Sequence, residues 1–130
     1  MTLNILIVDD SSIIRRSLRF CIEQQNLEQQ SLEWRVCGEA DNGRIAVEKV
    51  KELHPDVVIL DFAMPVMNGL EAARQIARIA PEVSVLLFTL HDSSDLRREA
   101  QAAGIKEVIS KAGRPGDQLV TSLRTVCSGG

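Results

Sequence analysis

Five short apolar runs alternating with five helix-spaced patterns predict an α/β domain: a doubly wound, five-stranded parallel sheet with helices on both faces. A second observation supports this. Four of the five runs deliver a residue able to do chemistry to the strand exit: Asp9 and Asp10, Asp61, Thr89, and Lys111. A third is the punctuation. Asn42-Gly43, His54-Pro55, Asn68-Gly69, Pro81 and Gly104 stand where helices or turns should begin or end.

The elements follow in order. Leu3 to Val8 is apolar except for Asn4 and stops at Asp9-Asp10. Ser11 or Ser12 caps a helix whose apolar face is Ile14, Leu18, Cys21 and Ile22. Arg15, Arg16 and Arg19 take the opposite face. The stretch from Glu23 to Ser31 is polar and Gln-rich, and reads equally as extra helix or as a long surface loop. Trp34 to Ala40 is a weaker strand, with Trp34, Val36 and Gly38 alternating against Arg35, Cys37 and Glu39 as at a sheet edge.

After the turn at Asp41-Asn42-Gly43, residues Ile45, Ala46, Val47, Val50 and Leu53 have helical spacing. His54-Pro55 ends that helix, and His54 reads as a helix-end residue rather than a ligand. Val57 to Leu60 is a wholly apolar central strand ending on Asp61. Asn68 caps the next helix, with Glu71 three residues on and an apolar face of Leu70, Ala73, Ile76, Ala77 and Ala80.

Val83 to Phe88 is the fourth strand. The helix predicted over Asp92 to Ala103 is thin, with only Leu96, Ala100 and Ala103 as an apolar stripe. Ile105, Val108 and Ile109 form the fifth strand, Gly113 to Gly116 a loop, and Leu119, Val120, Leu123 and Val126 the last helix. Residues 1–127 are read as one domain and 128–130 as a tail or the start of a linker.

In a parallel sheet all strand exits share one edge. With the order 2-1-3-4-5, the strand order reverses between strands 1 and 3, where ligands of open α/β sheets bind. Asp9, Asp10 and Asp61 therefore meet. Three carboxylates in one cleft repel one another, and a hard divalent cation such as Mg²⁺ relieves this. With Lys111 as a positive corner and Thr89 as a hydroxyl, the cluster suits a phosphoryl group held beside Mg²⁺.

At these residues the chain resembles the receiver domain of bacterial two-component response regulators. The matching pieces are Ile7-Val8-Asp9-Asp10, Asp61 with Met64-Pro65 and Asn68-Gly69, Thr89, and Lys111. The run from Asp61 to Ala73 is most similar to receivers with a LuxR-type helix-turn-helix output, and such an output would lie beyond residue 130. The resemblance implies a flavodoxin-like fold and a phosphorylation-dependent switch rather than an enzyme, a phosphoacceptor that assists its own phosphorylation and dephosphorylation.

It further implies that Asp61 takes the phosphoryl group from a sensor histidine kinase. Asp10, Asp61 and the Ala63 carbonyl would bind Mg²⁺, with Asp9 supporting through its waters. Lys111 would pair with the phosphoryl oxygens and Thr89 would turn toward them. Ala63 and His91 occupy positions that tune phosphoryl lifetime. Val108 stands at the switch position where family members often carry Tyr or Phe, and Ala112 follows Lys111 where many carry Pro, so the peptide between them is expected to be trans.

Other readings are weighed against these residues. A degenerate receiver acting only as an interaction module conflicts with the complete acid, Thr and Lys set. A haloacid-dehalogenase-like phosphatase wants Asp-x-Asp, whereas Asp9-Asp10 are adjacent. A flavin carrier finds little to stack on, with three Phe, one Trp and no Tyr.

The composition bounds the rest. The chain has 130 residues, 45% hydrophobic and 25% charged, with net charge −3. That suits one domain with one core and argues against direct nucleic-acid contact by this segment. No apolar run approaches the roughly 20 residues that span a bilayer. Cys21, Cys37 and Cys127 match no zinc or redox spacing, so a reducing compartment, the cytoplasm, is expected. Homodimerisation on phosphorylation is a further expectation.

Overall fold

The computed structural model describes residues 2–28, 33–113 and 115–129. Ten elements alternate: β1 (Thr2–Val8), α1 (Ser12–Glu28), β2 (Glu33–Ala40), α2 (Gly43–Leu53), β3 (Val57–Leu60), α3 (Gly69–Ile79), β4 (Ser84–Thr89), α4 (Ser94–Ala102), β5 (Glu107–Ser110) and α5 (Pro115–Gly129). The sheet is parallel with order β2-β1-β3-β4-β5, the flavodoxin-like arrangement predicted.

Alternation within the strands feeds two cores. Leu6, Val8, Val58, Leu60, Val85 and Leu87 face α2, α3 and α4. Ile5, Ile7, Val57, Ile59, Leu86 and Phe88 face α1 and α5. The central strand β3 is buried along its whole length. Each buried Val, Ile or Leu side chain contributes about 1.5–3 kcal/mol relative to exposure.

Two Asn-Gly pairs start helices in the same way. Asn68 Oδ1 accepts the Glu71 N–H at 3.0 Å, as expected. Asn42 Oδ1 accepts the Ile45 N–H at 3.0 Å, so what reads as a simple turn is also a cap. His54 closes α2 in the left-handed region at φ 50°.

Several boundaries differ from expectation, each for a physical reason. The polar stretch after Ile22, which sequence leaves open between helix and loop, is helical as far as Glu28, although its side chains lack an apolar period. Asn26 anchors it, accepting the Trp34 N–H at 2.8 Å and donating to the Trp34 carbonyl at 2.7 Å. Residues 29–31 of that stretch lie outside the described residues. α4 begins at Ser94 rather than Asp92, because Ser93 Oγ caps the Leu96 N–H at 3.1 Å. Ile105 precedes β5 instead of belonging to it, its N–H held by the Ala100 carbonyl at 3.0 Å. α5 starts at Pro115, a residue suited to a first helical position, so Pro115 and Gly116 are not loop. It also runs through Ser128 and Gly129.

β2 departs from simple alternation. Its register against β1 slips between the pairs Ile5↔Val36 and Leu6↔Gly38, leaving Cys37 as an extra residue. Trp34 and Val36 pack on the α1 side, whereas Cys37 and Ala40 join the opposite core. The slip returns Glu39 to the α1 side. Among the described residues no peptide bond is cis, and Lys111–Ala112 is trans. No described helix is long and apolar enough to cross a membrane.

Candidate functional site

Parallel pairing of Val8 with Leu60 brings the ends of β1 and β3 level. The next residues are Asp9 and Asp61. Backbone bonds extend the sheet by one step there: Asp9 N–H to the Ala40 carbonyl at 3.0 Å, and Asp61 N–H to the Val8 carbonyl at 2.9 Å. Both carboxylates are buried, at 1% and 5% exposure, while Asp10 faces solvent. Carboxylate oxygens of Asp9, Asp10 and Asp61 lie within 4.8 Å of one another.

Lys111 completes the cluster from the end of β5. Its ammonium lies 2.7 Å from Asp9 Oδ2 and 3.2 Å from Asp61 Oδ1, and 5.5 Å from the Phe88 ring centre. Its backbone N–H donates to the Thr89 carbonyl at 2.8 Å. Burial pushes the Asp61 carboxyl above its usual range, Asp9 adds to this, and Lys111 opposes it. The site therefore holds more negative charge than one ammonium offsets. Oxygens bound to one octahedral Mg²⁺ stand roughly 3–4 Å apart, so Asp10 and Asp61 would need only a modest closing to share one, with Asp9 near enough to act through a water. The exposed Asp10 leaves a side from which water ligands can enter.

Thr89 is the last residue of β4 and fully buried. Its Oγ1 accepts the His91 N–H at 3.0 Å. The exposed His91 ring meets Phe62 edge-on, with centroids 6.0 Å apart. Ala63 is exposed in the loop between β3 and α3. That loop is compact. Met67 N–H reaches the Pro65 carbonyl at 2.7 Å, across Val66 at φ 70°. Gly69 N–H donates to the Phe62 carbonyl at 2.8 Å. A Cβ at Gly69 would lie 2.3 Å from the Asp61 carbonyl oxygen, and one at Gly43 would lie 2.5 Å from the Met67 oxygen. Both glycines are needed for close backbone approach.

Val108 is buried in the core facing α3 and α4. The structure thus brings Asp9, Asp10, Asp61 and Lys111 into contact range. Thr89 and His91 pair with one another beside them, and Val108 lies below, within the core.

A profile of the response regulator receiver domain matches residues 5–124. The chain belongs to the response regulator receiver family. It is 38% identical to the chemotaxis protein CheY of Thermotoga maritima over 122 residues, covering 94% of this chain and 95% of that one. It is 34% identical to the response regulator UvrY of Escherichia coli over 127 residues, 98% of this chain but 55% of that protein. Among solved structures, a LuxR-family two-component response regulator from Aurantimonas superposes with a TM-score of 0.84. It is 29% identical, with 99% of this chain and 87% of that one covered. The domain is therefore a phosphorylation-dependent signalling switch, with LuxR-family regulators among its relatives.

Sequence reasoning missed Arg15 and Glu39 near this site. Helical spacing places Arg15 only on the face opposite the apolar one, yet its Nε lies 2.9 Å from Glu39 Oε1 and its Nη1 lies 2.6 Å from the Asp9 carbonyl. The register slip in β2 hides this pairing from any alternation pattern.

Proposed function

We propose that Asp61 is the phosphoacceptor. The carrying observation is a buried carboxylate whose charge is only partly offset, facing two further acids and an ammonium that already bridges Asp9 and Asp61. An Asp61 carboxylate oxygen attacks phosphorus in line. The new O–P bond forms as the P–N bond to the donor histidine breaks, and the departing imidazole takes a proton from solvent. Lys111 follows the developing charge, exchanging part of its contact with Asp61 for the transferring oxygens.

Asp10, Asp61 and the Ala63 carbonyl would hold Mg²⁺, with Asp9 acting through water, and the bound ion would neutralise charge at the phosphoryl oxygens. Thr89 must give up the His91 N–H to reach a phosphoryl group. Its departure loosens the loop before α4, which buries only Leu96 and Ala100. A weakly held helix suits a two-position element. Because position 108 is a buried Val, we assign the report of Thr89's movement to this loop and to the Phe62–His91 contact, not to a turning ring. Ala63 and His91 stand where they set phosphoryl lifetime.

The donor is a sensor histidine kinase, the compartment the cytoplasm, and the controlled element a DNA-binding output or a second copy of the domain.

The deciding experiment is intact mass after incubation with acetyl phosphate. One phosphoryl adduct that requires Mg²⁺ and is absent from Asp61→Asn supports the assignment. An adduct that persists in Asp61→Asn refutes it.

A further inference from the structure

We propose that Arg15 is a positioning residue for the Asp10 carboxylate, aimed by Glu39 and acting through the Asp9 carbonyl. This rests on the reading that Asp10 contributes to a Mg²⁺ site.

Asp10 is the exposed member of the acid cluster, so no packing fixes it. Its backbone is fixed instead, on both sides. The Asp9 side chain accepts the Ser11 N–H at 2.9 Å, which sets the peptide after Asp10. Arg15 Nη1 holds the Asp9 carbonyl at 2.6 Å, which sets the peptide before it. With both planes set, the Cα–Cβ direction of Asp10 is set too.

The guanidinium is itself held. Glu39 Oε1 accepts from Arg15 Nε at 2.9 Å, and Glu39 Oε2 from Arg19 Nη2 at 2.6 Å. Arg19 and then Arg15 keep the Glu39 carboxyl below its usual range, so it stays charged across the neutral range. Lys49 donates to the Glu39 carbonyl from α2. α1 is already joined to β2 by the Arg19 pair and by Asn26 on the Trp34 backbone. Arg15 does something further, because its second donor leaves that pair and reaches the loop that carries two of the three acids. A planar fork makes such a two-directional contact, which an ammonium does not reproduce. Groups that orient metal ligands from behind commonly change affinity by about 10–100-fold when removed.

The test is calorimetric Mg²⁺ titration of the intact domain in wild type, Arg15→Gln, Arg15→Lys, Glu39→Gln and Asp10→Asn, beside melting in EDTA. Expected is about tenfold or greater weakening in Arg15→Gln, with a smaller loss in Arg15→Lys and Glu39→Gln. Adding Glu39→Gln to Arg15→Gln should cost nothing more. The Mg²⁺ needed for half-maximal phosphorylation by acetyl phosphate should rise in parallel while the rate at saturating Mg²⁺ holds. A purely structural role would instead lower that rate and the EDTA melting point without a selective change in Mg²⁺ affinity.

If Asp10→Asn weakens binding while Arg15→Gln and Glu39→Gln stay within about twofold of wild type, the inference is overturned and the site reading survives. If wild type binds no Mg²⁺, or Asp10→Asn binds like wild type, both fall. Should Arg15→Gln fail to fold, Glu39→Gln carries the same comparison, since Glu39 touches no residue of the acid cluster.

Discussion

Gly69→Ala is the most direct probe of how the site is built. A Cβ there would meet the Asp61 carbonyl oxygen at 2.3 Å, and the Asp61 carbonyl carbon and Phe62 Cα at 3.0 Å each. All three neighbours are backbone. Restoring even a 3.0 Å contact to the oxygen needs a shift of 0.7 Å, the difference between 3.0 and 2.3. The Asp61 backbone cannot yield alone, because its N–H is bonded to Val8 within the sheet. If α3 yields, the Gly69 N–H loses the Phe62 carbonyl and the loop carrying Ala63 moves with it. Overpacking of this kind costs about 1–3 kcal/mol, with only a few tenths returned by better helix propensity. About 2 kcal/mol lowers the melting temperature of a domain this size by roughly 6–10 °C. A misplacement of 1 Å costs about 100-fold in rate, so phosphorylation by acetyl phosphate should fall at least about tenfold. Gly116→Ala is the control, its Cβ meeting only Cys21 Sγ at 3.4 Å. Thermal melts and phosphorylation rates of the two variants test the reasoning. Wild-type melting and rate in Gly69→Ala would refute it.

Further predictions concern the charges and the loop. The raised Asp61 carboxyl means the folded state binds that proton more tightly than the unfolded state, so ionising Asp61 costs stability as pH rises through and above the ordinary carboxylate range. Asp61→Asn should therefore be more stable than wild type by about 1 kcal/mol at pH 7. The gain should fade below about pH 4, and urea melts at the two pH values check this. Lys111→Met leaves the buried Asp9 without its ammonium and should cost about 3 kcal/mol in EDTA. Mg²⁺ at about ten times its dissociation constant should return about 1.4 kcal/mol, read as a shift in denaturation midpoint. Val66→Gly places glycine where a β-branched residue sits at φ 70°. Relief of about 1–2 kcal/mol of strain, less glycine's greater unfolded freedom, should raise stability by about 0.5–1 kcal/mol, with phosphorylation by acetyl phosphate unchanged.

What sequence made legible was local. Strand exits are marked by where apolar runs stop, and parallel topology then brings Asp9, Asp61 and Lys111 together without further information. The Asn68 cap announces itself by its spacing to Glu71, whereas Asn42 has Ile45 at that spacing and so reads only as a turn. The helical extension to Glu28 was not legible, because its stabilising contact joins Asn26 to the backbone of Trp34 across a stretch with no apolar period. The start of α5 was hidden by Pro115-Gly116, which signals a loop and a helix start equally well. Arg15 was invisible for a third reason: a register slip in another strand decides which side Glu39 faces.

That slip makes Cys37 a surplus residue. It is the extra residue of the bulge, and the pairs on either side of it do not use it. Deleting it would join Val36 to Gly38 and restore strict alternation with the pairs Leu6↔Gly38 and Ile7↔Glu39 unchanged, so Glu39 would still face α1 and both arginines. When related chains are compared, a one-residue gap at this point is therefore compatible with the pairing of Glu39 to Arg15 and Arg19.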